Sequence, residues 1–324
     1  MMTPTARAVQ SALSAAFFAF SGIAAEAATV ADDYSSFWVL GDSLSDNGNV
    51  FAITGTPTAP YVNGQFSNGP VWAELVGAQF LAQSKVYGNV AYGGAKALLD
   101  GDLSPDLPVQ LGFFGTSSTG LLGARPLVSL WFGGNDLLAA IGTPDSATTA
   151  AAAANAVADT IDFLTLGGVG DFLVMNLPDL GATPRYGLLD PVNAADASLA
   201  TKIYNDTLSA RVNAAAANVT LIDTATAFAE IAADPSKFGL GNTTLPCVYP
   251  TDAVAAAFGE ARVCSDTEAA ARAFFDPIHP NAGAHAVIAD LVTETLAPTV
   301  VPLPAGAPLL LLGVSGLALL RRRT

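Results

Sequence analysis

Positive charge and histidine are both scarce in this sequence. Its 324 residues include 13 Lys or Arg against 28 Asp or Glu, which gives a formal net charge of −15. Nucleic-acid binding relies on a basic surface, so we expect no nucleic-acid partner. Because the chain contains only two histidines, we also expect no metal site.

Several motifs of well-known enzyme classes are absent as well. The chain contains no G-x-S-x-G elbow, which excludes the usual signature of an ordinary α/β-hydrolase. It also contains no H-E-x-x-H zinc motif, no Walker A loop and no dinucleotide-binding fingerprint. Any catalytic chemistry must therefore come from another arrangement of side chains.

What the sequence does contain is apolar residues, at 51% of the chain, enough for a substantial core. Short apolar runs alternate with longer segments of helical periodicity, which predicts an α/β fold with a parallel sheet. The predicted strands are residues 37–40, 86–87, 127–132, 172–175 and 219–223. The predicted helices are residues 71–80, 146–166, 199–217 and 282–296. Residues 100–123 are rich in Ser, Thr, Gly and Pro and are predicted to form an irregular loop.

The amino-terminal end differs in character from the central domain, which we place at residues 35–297. Residues 1–27 carry Arg7, an apolar segment and then Ala25-Glu26-Ala27. This pattern is typical of a secretory signal peptide with a small-residue cleavage site. A transmembrane helix is the alternative, although the apolar run is short for one. The mature domain is thus expected to be secreted, periplasmic or on the cell surface.

The carboxyl-terminal residues 298–324 form a linker and an apolar segment that ends in arginines. The stretch Val301-Pro302-Leu303-Pro304-Ala305, with the segment after it, resembles a VPLPA-type member of the PEP-CTERM sorting signals. That resemblance implies recognition by a membrane processing enzyme and removal of the tail. The alternatives are a retained membrane anchor, with its basic end inside, and a core helix, which the prolines disfavour.

The functional interpretation of the chain depends most on Gly41-Asp42-Ser43, which directly follows the first predicted strand. Open parallel sheets bind ligands at the carboxyl ends of their strands, so Ser43 lies where a nucleophile would meet a substrate. A second interpretation is open, because Ser43 with Asp46 also resembles a helix N-cap and its acidic partner. The two interpretations are compatible, since a helix start directs backbone N–H groups toward the serine.

Three later segments carry candidate functional residues. Gly93-Gly94 follows the weak strand at 86–87, and Asn135-Asp136 follows the strand at 127–132. Each segment alone is typical of a turn. In Asp276-Pro277-Ile278-His279-Pro280, the spacing lets one short turn carry both the carboxylate and the imidazole. A solvated loop would have the same local pattern.

The other histidine, His285, lies within the predicted helix 282–296 and is interpreted as structural.

These segments resemble, in this order, the four sequence blocks of the GDSL family, also called SGNH hydrolases. The blocks here are residues 41–49, the glycine pair, Gly-x-Asn-Asp at 133–136 and Asp-x-x-His-Pro at 276–280. Members of the family are esterases and lipases with a serine nucleophile. The resemblance spans nearly the whole predicted domain and implies a three-layer α/β/α, flavodoxin-like fold with a parallel sheet.

The resemblance also implies a role for each matching residue. Ser43 would be the nucleophile, His279 the general base, and Asp276 the carboxylate that orients the histidine. The backbone N–H of Ser43 would be one donor of the oxyanion hole. Such chemistry needs neither a metal nor an organic cofactor.

The other oxyanion-hole donors implied by the family are a glycine N–H and an asparagine amide. We align Gly93 with the glycine donor, and Gly94 is the alternative alignment. Asn135 matches the asparagine, whose side-chain amide donates without carrying charge.

The two cysteines, Cys247 and Cys264, are close in sequence. Export to an oxidising compartment favours a disulfide between them, and the pair resembles that of many secreted family members. A loop of this size would add about 3 kcal/mol of stability in the chain-entropy model. Two buried free thiols are the alternative.

The predicted activity is hydrolysis of carboxylic esters by an exported serine esterase or lipase, through an acyl-enzyme. A carbohydrate O-deacetylase and a phospholipase are alternatives within the family, and a non-catalytic, surface-displayed binding module is an alternative of another class. The expected partners are a small-molecule, lipid or glycan ester and the membrane enzyme that processes the tail. We expect a monomer. The sequence leaves open the acyl length of the substrate and the presence of a lid.

Overall fold

The structure, a computed structural model, describes residues 28–102, 104–248 and 263–297. The predicted signal peptide at 1–27 and the predicted linker and sorting segment at 298–324 lie outside the described residues. The described ranges cover the predicted central domain apart from residue 103 and residues 249–262.

The described residues form a parallel sheet of five strands in the order β2-β1-β3-β4-β5. The strands are β1 (Ser36–Gly41), β2 (Val86–Asn89), β3 (Pro126–Trp131), β4 (Asp171–Met175) and β5 (Asn218–Ile222). All five were predicted, and the observed bounds differ from the predicted ones by one or two residues.

Burial explains why these strands read as continuous apolar runs. The central strands β1 and β3 are buried at every position, whereas the edge strand β2 is only half-buried. Strands of a parallel sheet that are covered by helices on both faces carry few polar residues, because neither face meets water.

Helices follow or connect these strands. They are α1 (Asn49–Thr54), α2 (Trp72–Ala82), α3 (Leu107–Ser117), α4 (Gly134–Ala140), α5 (Ser146–Leu166), α6 (Ala194–Asn213), α7 (Thr224–Ala233), α8 (Asp266–Ala271) and α9 (Ala282–Leu296). Shorter helical turns lie at Val30–Asp32, Leu180–Ala182, Arg185–Leu189 and Pro235–Phe238. Within the described residues, no helix is both long and apolar enough to cross a bilayer.

Two neighbouring residues of β1 show that helices cover both faces of the sheet. Successive side chains of a strand point to opposite faces. The Phe37 ring packs against Trp72 and Phe80 of α2, while the Trp38 ring packs against Phe114 of α3. Helices α2 and α9 pack together, as do α5 and α6. The fold is therefore α/β with a parallel sheet and flanking helices, as the sequence predicts.

The structure corrects the prediction for the segment before β3. Residues 100–123 were predicted to be an irregular loop, but they contain α3. Asp106 precedes the helix and Pro108 lies in its first turn, which is a favourable start. Leu107, Gln110 and Phe114 bury one face of α3. The glycines of this segment hid that helical spacing, because glycine lowers helix propensity.

Candidate active site

Three of the predicted motifs follow three neighbouring strands. Ser43 comes after β1, Gly93 after β2 and Asn135 after β3, and these strands lie side by side in the order β2-β1-β3. All the strands are parallel, so their carboxyl ends meet at one edge of the sheet. This edge is where open α/β sheets bind their ligands.

The structure brings Ser43, His279 and Asp276 together. The Ser43 Oγ atom lies 2.8 Å from His279 Nε2, and His279 Nδ1 lies 2.6 Å from Asp276 Oδ2. The serine and the histidine are 236 positions apart in sequence. The arrangement fits an imidazole that donates from Nδ1 to the carboxylate and accepts the serine proton at Nε2.

The charges of Asp276 and His279 support each other in a buried setting. Burial alone would raise the pKa of Asp276, but the charge of His279 and hydrogen bonds to the carboxylate hold it below the ordinary value. Burial alone would lower the pKa of His279, but the Asp276 carboxylate, helped by the charge of Asp42, raises it above the ordinary value. A histidine in this setting accepts a proton readily.

The Asp276 carboxylate has four hydrogen-bond donors. Oδ1 accepts from the backbone N–H groups of Ile278, at 2.9 Å, and His279, at 2.8 Å. Oδ2 accepts from His279 Nδ1 and from the Tyr61 hydroxyl, at 2.7 Å. No sequence pattern predicts a role for Tyr61, because it lies in a Gly- and Pro-rich loop 215 positions from Asp276.

The interpretation of Ser43 as a helix N-cap was wrong. Ser43 lies in a turn, and the next helix, α1, begins only at Asn49. The Asp42 carboxylate instead closes this turn by accepting the N–H of Leu44 at 3.0 Å. Burial raises the pKa of Asp42 to about 7.

Asp46 anchors the segment that follows the serine turn. Its carboxylate accepts the backbone N–H groups of Gly48, Asn49 and Val50 at the start of α1. It also accepts the N–H of Gly93 at 2.8 Å. Asp46 thereby joins the loop after β1 to the loop after β2.

This last bond argues against Gly93 as a donor of the oxyanion hole. Its N–H already has a carboxylate acceptor, so Gly94, the alternative alignment, becomes the better candidate. A side chain at position 93 would meet the ring of Phe66, whose nearest atom lies 2.2 Å from the site of a Cβ. Close packing by Phe66, and not close approach of a substrate, therefore explains the glycine here.

Asn135 lies at the start of α4 and faces the same cleft as Ser43 and His279. Its side-chain nitrogen donates one hydrogen bond to the carbonyl oxygen of Ala95, at 2.9 Å. An amide nitrogen carries two hydrogens, so this bond fixes the group while the second hydrogen stays available for a substrate oxygen.

Asp136, the next residue, fastens the same region. Its carboxylate accepts the backbone N–H groups of Ala97, at 2.8 Å, and Leu98, at 3.0 Å. Burial raises the pKa of Asp136 to about 6. The Gly-x-Asn-Asp motif thus connects the loops after β2 and β3, with one side chain facing the cleft and one holding the backbone.

Residues 66–68 brace the turn that carries His279. The Phe66 ring lies over the imidazole, with ring centroids 5.2 Å apart. Ser67 Oγ donates to the carbonyl oxygen of Pro280 at 3.0 Å, and Asn68 Oδ1 accepts the N–H of Ala282 at 2.8 Å. Residues 66–68 therefore help to position the candidate base.

The predicted disulfide between Cys247 and Cys264 is present. It packs against Phe275, next to Asp276, in a small cluster separate from the main core. The backbone N–H of Val248 also donates to the carbonyl oxygen of Phe275 at 2.6 Å. The disulfide thus supports the chain immediately before the acid–base turn (residues 276–280), which carries Asp276 and His279.

The predicted structural role of His285 agrees with its position. The side chain is buried, and its Nδ1 accepts the backbone N–H of Trp72 at 3.4 Å. Burial lowers the pKa of His285 to about 3, so it stays uncharged at neutral pH.

An open cleft lies beside Ser43. Ser43, Asn135 and His279 supply polar groups to its wall. Most of the other lining residues are apolar: Leu44, Trp131, Leu138, Leu177, Pro178, Leu180, Phe228, Phe274, Ile278 and Pro280. Such a cleft suits an apolar group attached to a polar reacting centre.

Within the described ranges, the one cluster with three possible metal ligands comprises Asp100, Asp102 and Asp106. The Lys96 ammonium contacts both Asp100 and Asp102. These carboxylates therefore already have a cation, and the cluster is not part of the cleft.

Comparison with known proteins adds the family context. The family model for GDSL-like lipase/acylhydrolase matches residues 38–292. A phosphatidylcholine-sterol acyltransferase of Aeromonas hydrophila is 32% identical over 247 residues, which cover 71% of each chain. A thermolabile hemolysin of Vibrio parahaemolyticus is 26% identical over 287 residues, covering 83% of this chain and 66% of the hemolysin.

Among solved structures, an alpha/beta hydrolase enzyme from the metagenome of Lake Arreo superposes with a TM-score of 0.46 and 16% identity. The match covers 82% of this chain and 97% of that chain.

Proposed function

The chain belongs to the GDSL-like lipase/acylhydrolase family, and from this premise we propose that it is an exported serine esterase or lipase. It hydrolyses carboxylic esters through a covalent acyl-enzyme. The observation that carries the proposal is the continuous contact from Ser43 Oγ through His279 to Asp276, at 2.8 and 2.6 Å. A serine hydroxyl becomes a useful nucleophile when an oriented base accepts its proton.

The first half of the reaction forms the acyl-enzyme. Ser43 Oγ bonds to the ester carbonyl carbon while His279 Nε2 takes the hydroxyl proton, and the carbonyl electron pair moves to the oxygen. Collapse of this tetrahedral species breaks the bond to the alcohol oxygen, which takes the proton from His279. Asp276 holds the imidazole and stabilises its positive charge in between.

The second half releases the acid. Water donates a proton to His279 Nε2 as its oxygen bonds to the acyl carbon, and collapse expels Ser43 Oγ, which takes that proton back. The negative oxygen in both halves would be stabilised by the Ser43 N–H, the Asn135 amide and a glycine N–H, for which we propose Gly94 in place of Gly93. The cycle uses no cofactor.

The apolar lining of the cleft supports an acyl chain longer than acetyl as the group that binds beside Ser43. An alcohol could replace water in the second half, and the similarity to an enzyme named as an acyltransferase favours this as a second activity. We propose export because the disulfide is typical of proteins in oxidising compartments. The signal peptide, the sorting tail and the monomeric state remain part of this proposal.

Replacing Ser43 with alanine tests the proposed function. Using p-nitrophenyl esters from acetate upward, we expect wild type to prefer the longer acyl groups, and Ser43→Ala to lose at least about a thousandfold in kcat. The melting temperature should hardly change, because Ser43 is not part of the core.

Ser45→Ala is the matched control. It removes a hydroxyl from the same turn, one that accepts from the Trp72 indole and does not contact His279. It should lose stability and keep turnover. A folded Ser43→Ala protein with full activity would exclude the nucleophile assignment, and hydrolysis of acetate esters alone would favour the deacetylase alternative.

A further inference from the structure

The Asp276 carboxylate accepts one hydrogen bond that the serine–histidine–aspartate arrangement does not require. Its Oδ2 atom accepts from His279 Nδ1 at 2.6 Å and from the Tyr61 hydroxyl at 2.7 Å. The other oxygen, Oδ1, is held by two backbone N–H groups. A carboxylate has about four acceptor positions, so the backbone bonds fix its orientation and Tyr61 completes the set.

The Tyr61 side chain is held so that its hydroxyl reaches the carboxylate. Its ring packs edge-on against Phe275, with centroids 5.2 Å apart, and contacts Phe66 at 6.3 Å. Burial and the negative charge of Asp276 raise the pKa of Tyr61 above its ordinary value. The hydroxyl therefore keeps its proton and acts as a donor throughout the pH range of catalysis.

We propose that Tyr61 is a positioning residue that acts on His279 through Asp276 and limits how strongly the imidazole holds a proton. Its hydrogen bond takes up part of the negative charge on Oδ2, the same atom that stabilises the imidazolium. With less charge on Oδ2, the imidazole returns its proton to the leaving alcohol more easily. The kinetic consequence rests on the function proposed above, whereas the electrostatic effect does not.

The other titratable and charged groups around this pair are few in the described part of the chain. Asp276 and Asp42 act on His279 with negative charge, and His285 lies near it as a neutral ring. Arg185 lines a cavity together with Tyr61 and Asp276. Replacing Tyr61 with phenylalanine removes one hydroxyl and leaves the charge of all these groups unchanged.

The first test is a histidine titration by NMR in protein with ¹³C-labelled histidine. The chain has two histidines. Burial lowers the pKa of His285 to about 3, whereas the pKa of His279 is raised above its ordinary value, so the resonance that titrates at higher pH is assigned to His279. In Tyr61→Phe, Oδ2 has lost a donor and binds the imidazolium more strongly. We expect the His279 titration midpoint to rise by about 0.5–1 pH unit.

The control is Tyr34→Phe. Tyr34 is also buried and stacks with the Arg125 guanidinium, and it lies before the amino end of β1, away from the cleft. Its removal should leave the His279 midpoint in place. Phenylalanine keeps the ring contacts of Tyr61, so we expect Tyr61→Phe to melt close to wild type.

The second test is the pH dependence of kcat/KM for an ester substrate. The acidic limb should move to higher pH in Tyr61→Phe, in the same direction as the NMR midpoint, with KM nearly unchanged. A folded variant whose His279 midpoint stays put or falls would overturn the inference. If wild type hydrolyses no ester but the midpoint rises in the variant, the inference stands and the proposed function fails.

Discussion

The two halves of the candidate active site are held in different ways. Ser43 and Asn135 follow the central strands β1 and β3, which are buried at every position. Asp276 and His279 lie on a turn that is outside the sheet. That turn is fixed from outside by residues 61–68, by the bonds to Phe275 and by the disulfide cluster.

This difference predicts which substitutions remove a catalytic group and which weaken the structure that holds one. Side chains that follow a buried sheet are placed by the core itself, so changing one of them should remove its chemical contribution and little else. The acid–base turn depends on a few local bonds, each of modest strength. Losing one should alter stability or the behaviour of His279 before it abolishes the reaction.

Among the three changes that compare the two halves of the site, the largest effect should come from Asn135, which follows the buried strand β3. We expect Asn135→Ala to lower kcat about 100- to 1000-fold, because one oxyanion donor is worth roughly 3–4 kcal/mol of transition-state stabilisation. KM should change much less, since the donor acts mainly on the charge that develops in the transition state. Steady-state kinetics on an ester substrate measure both constants.

Asn135→Asp sharpens this test. Aspartate suits a turn as well as asparagine does and has the same size, but an ionised carboxylate donates no hydrogen bond and repels an oxyanion. A catalytic amide therefore requires Asn135→Asp to be at least as inactive as Asn135→Ala. Near-normal kcat in Asn135→Asp would show that Asn135 is a turn residue without a role as an oxyanion donor.

An intermediate effect is expected from loss of the disulfide, which supports the turn that carries Asp276 and His279. The double variant Cys247→Ser/Cys264→Ser should lower the free energy of unfolding by about 3 kcal/mol, for a loop with a sequence separation of 17. Chemical denaturation of the variant and of wild type, each with and without reductant, measures this.

At temperatures below the melting range of the double variant, its activity should be lower than that of wild type, because the disulfide packs against Phe275 beside Asp276. Reductant should weaken wild type and leave the double variant unaffected. Equal activity and stability in both proteins would mean that the cluster does not support the acid–base turn.

The smallest effect should come from Asn68. Asn68→Ala removes the acceptor for the Ala282 N–H at the start of α9, which costs about 1 kcal/mol of stability for one hydrogen bond. We expect kcat to fall a few-fold, because α9 directly follows the turn that carries His279. Asn213→Ala, at the exposed end of α6, is the matched control and should alter neither quantity.

Much of the fold could be predicted, because its strongest signals are local. The helix α5 has the predicted bounds, since its alanine-rich composition favours a helix and glycines follow it. The helix α9 also has the predicted bounds, and the side chain of Asn281 caps its start. The helix α3 was missed because its apolar spacing is interrupted by glycine.

The candidate site divides in the same way. Ser43, Asn135, Asp276 and His279 could be found because short motifs carry them, and the structure brings the serine, the aspartate and the histidine into contact. Tyr61 could not be found, since its bond to Asp276 joins positions 215 apart and leaves no local pattern.

The glycine donor shows a different limit. The motif places a glycine pair after β2, but only the structure reveals that the Gly93 N–H is already bound by Asp46.

The proposed function requires Ser43 to be an activated nucleophile. The most direct measurement treats the purified protein with a fluorophosphonate probe, which reacts with a serine only when a neighbouring base takes its proton, and then maps the adduct by peptide mass. We expect one adduct, on Ser43, and none in Ser43→Ala. A folded protein that acquires no adduct on Ser43 would exclude Ser43 as an activated nucleophile and favour a non-catalytic binding module on the same fold.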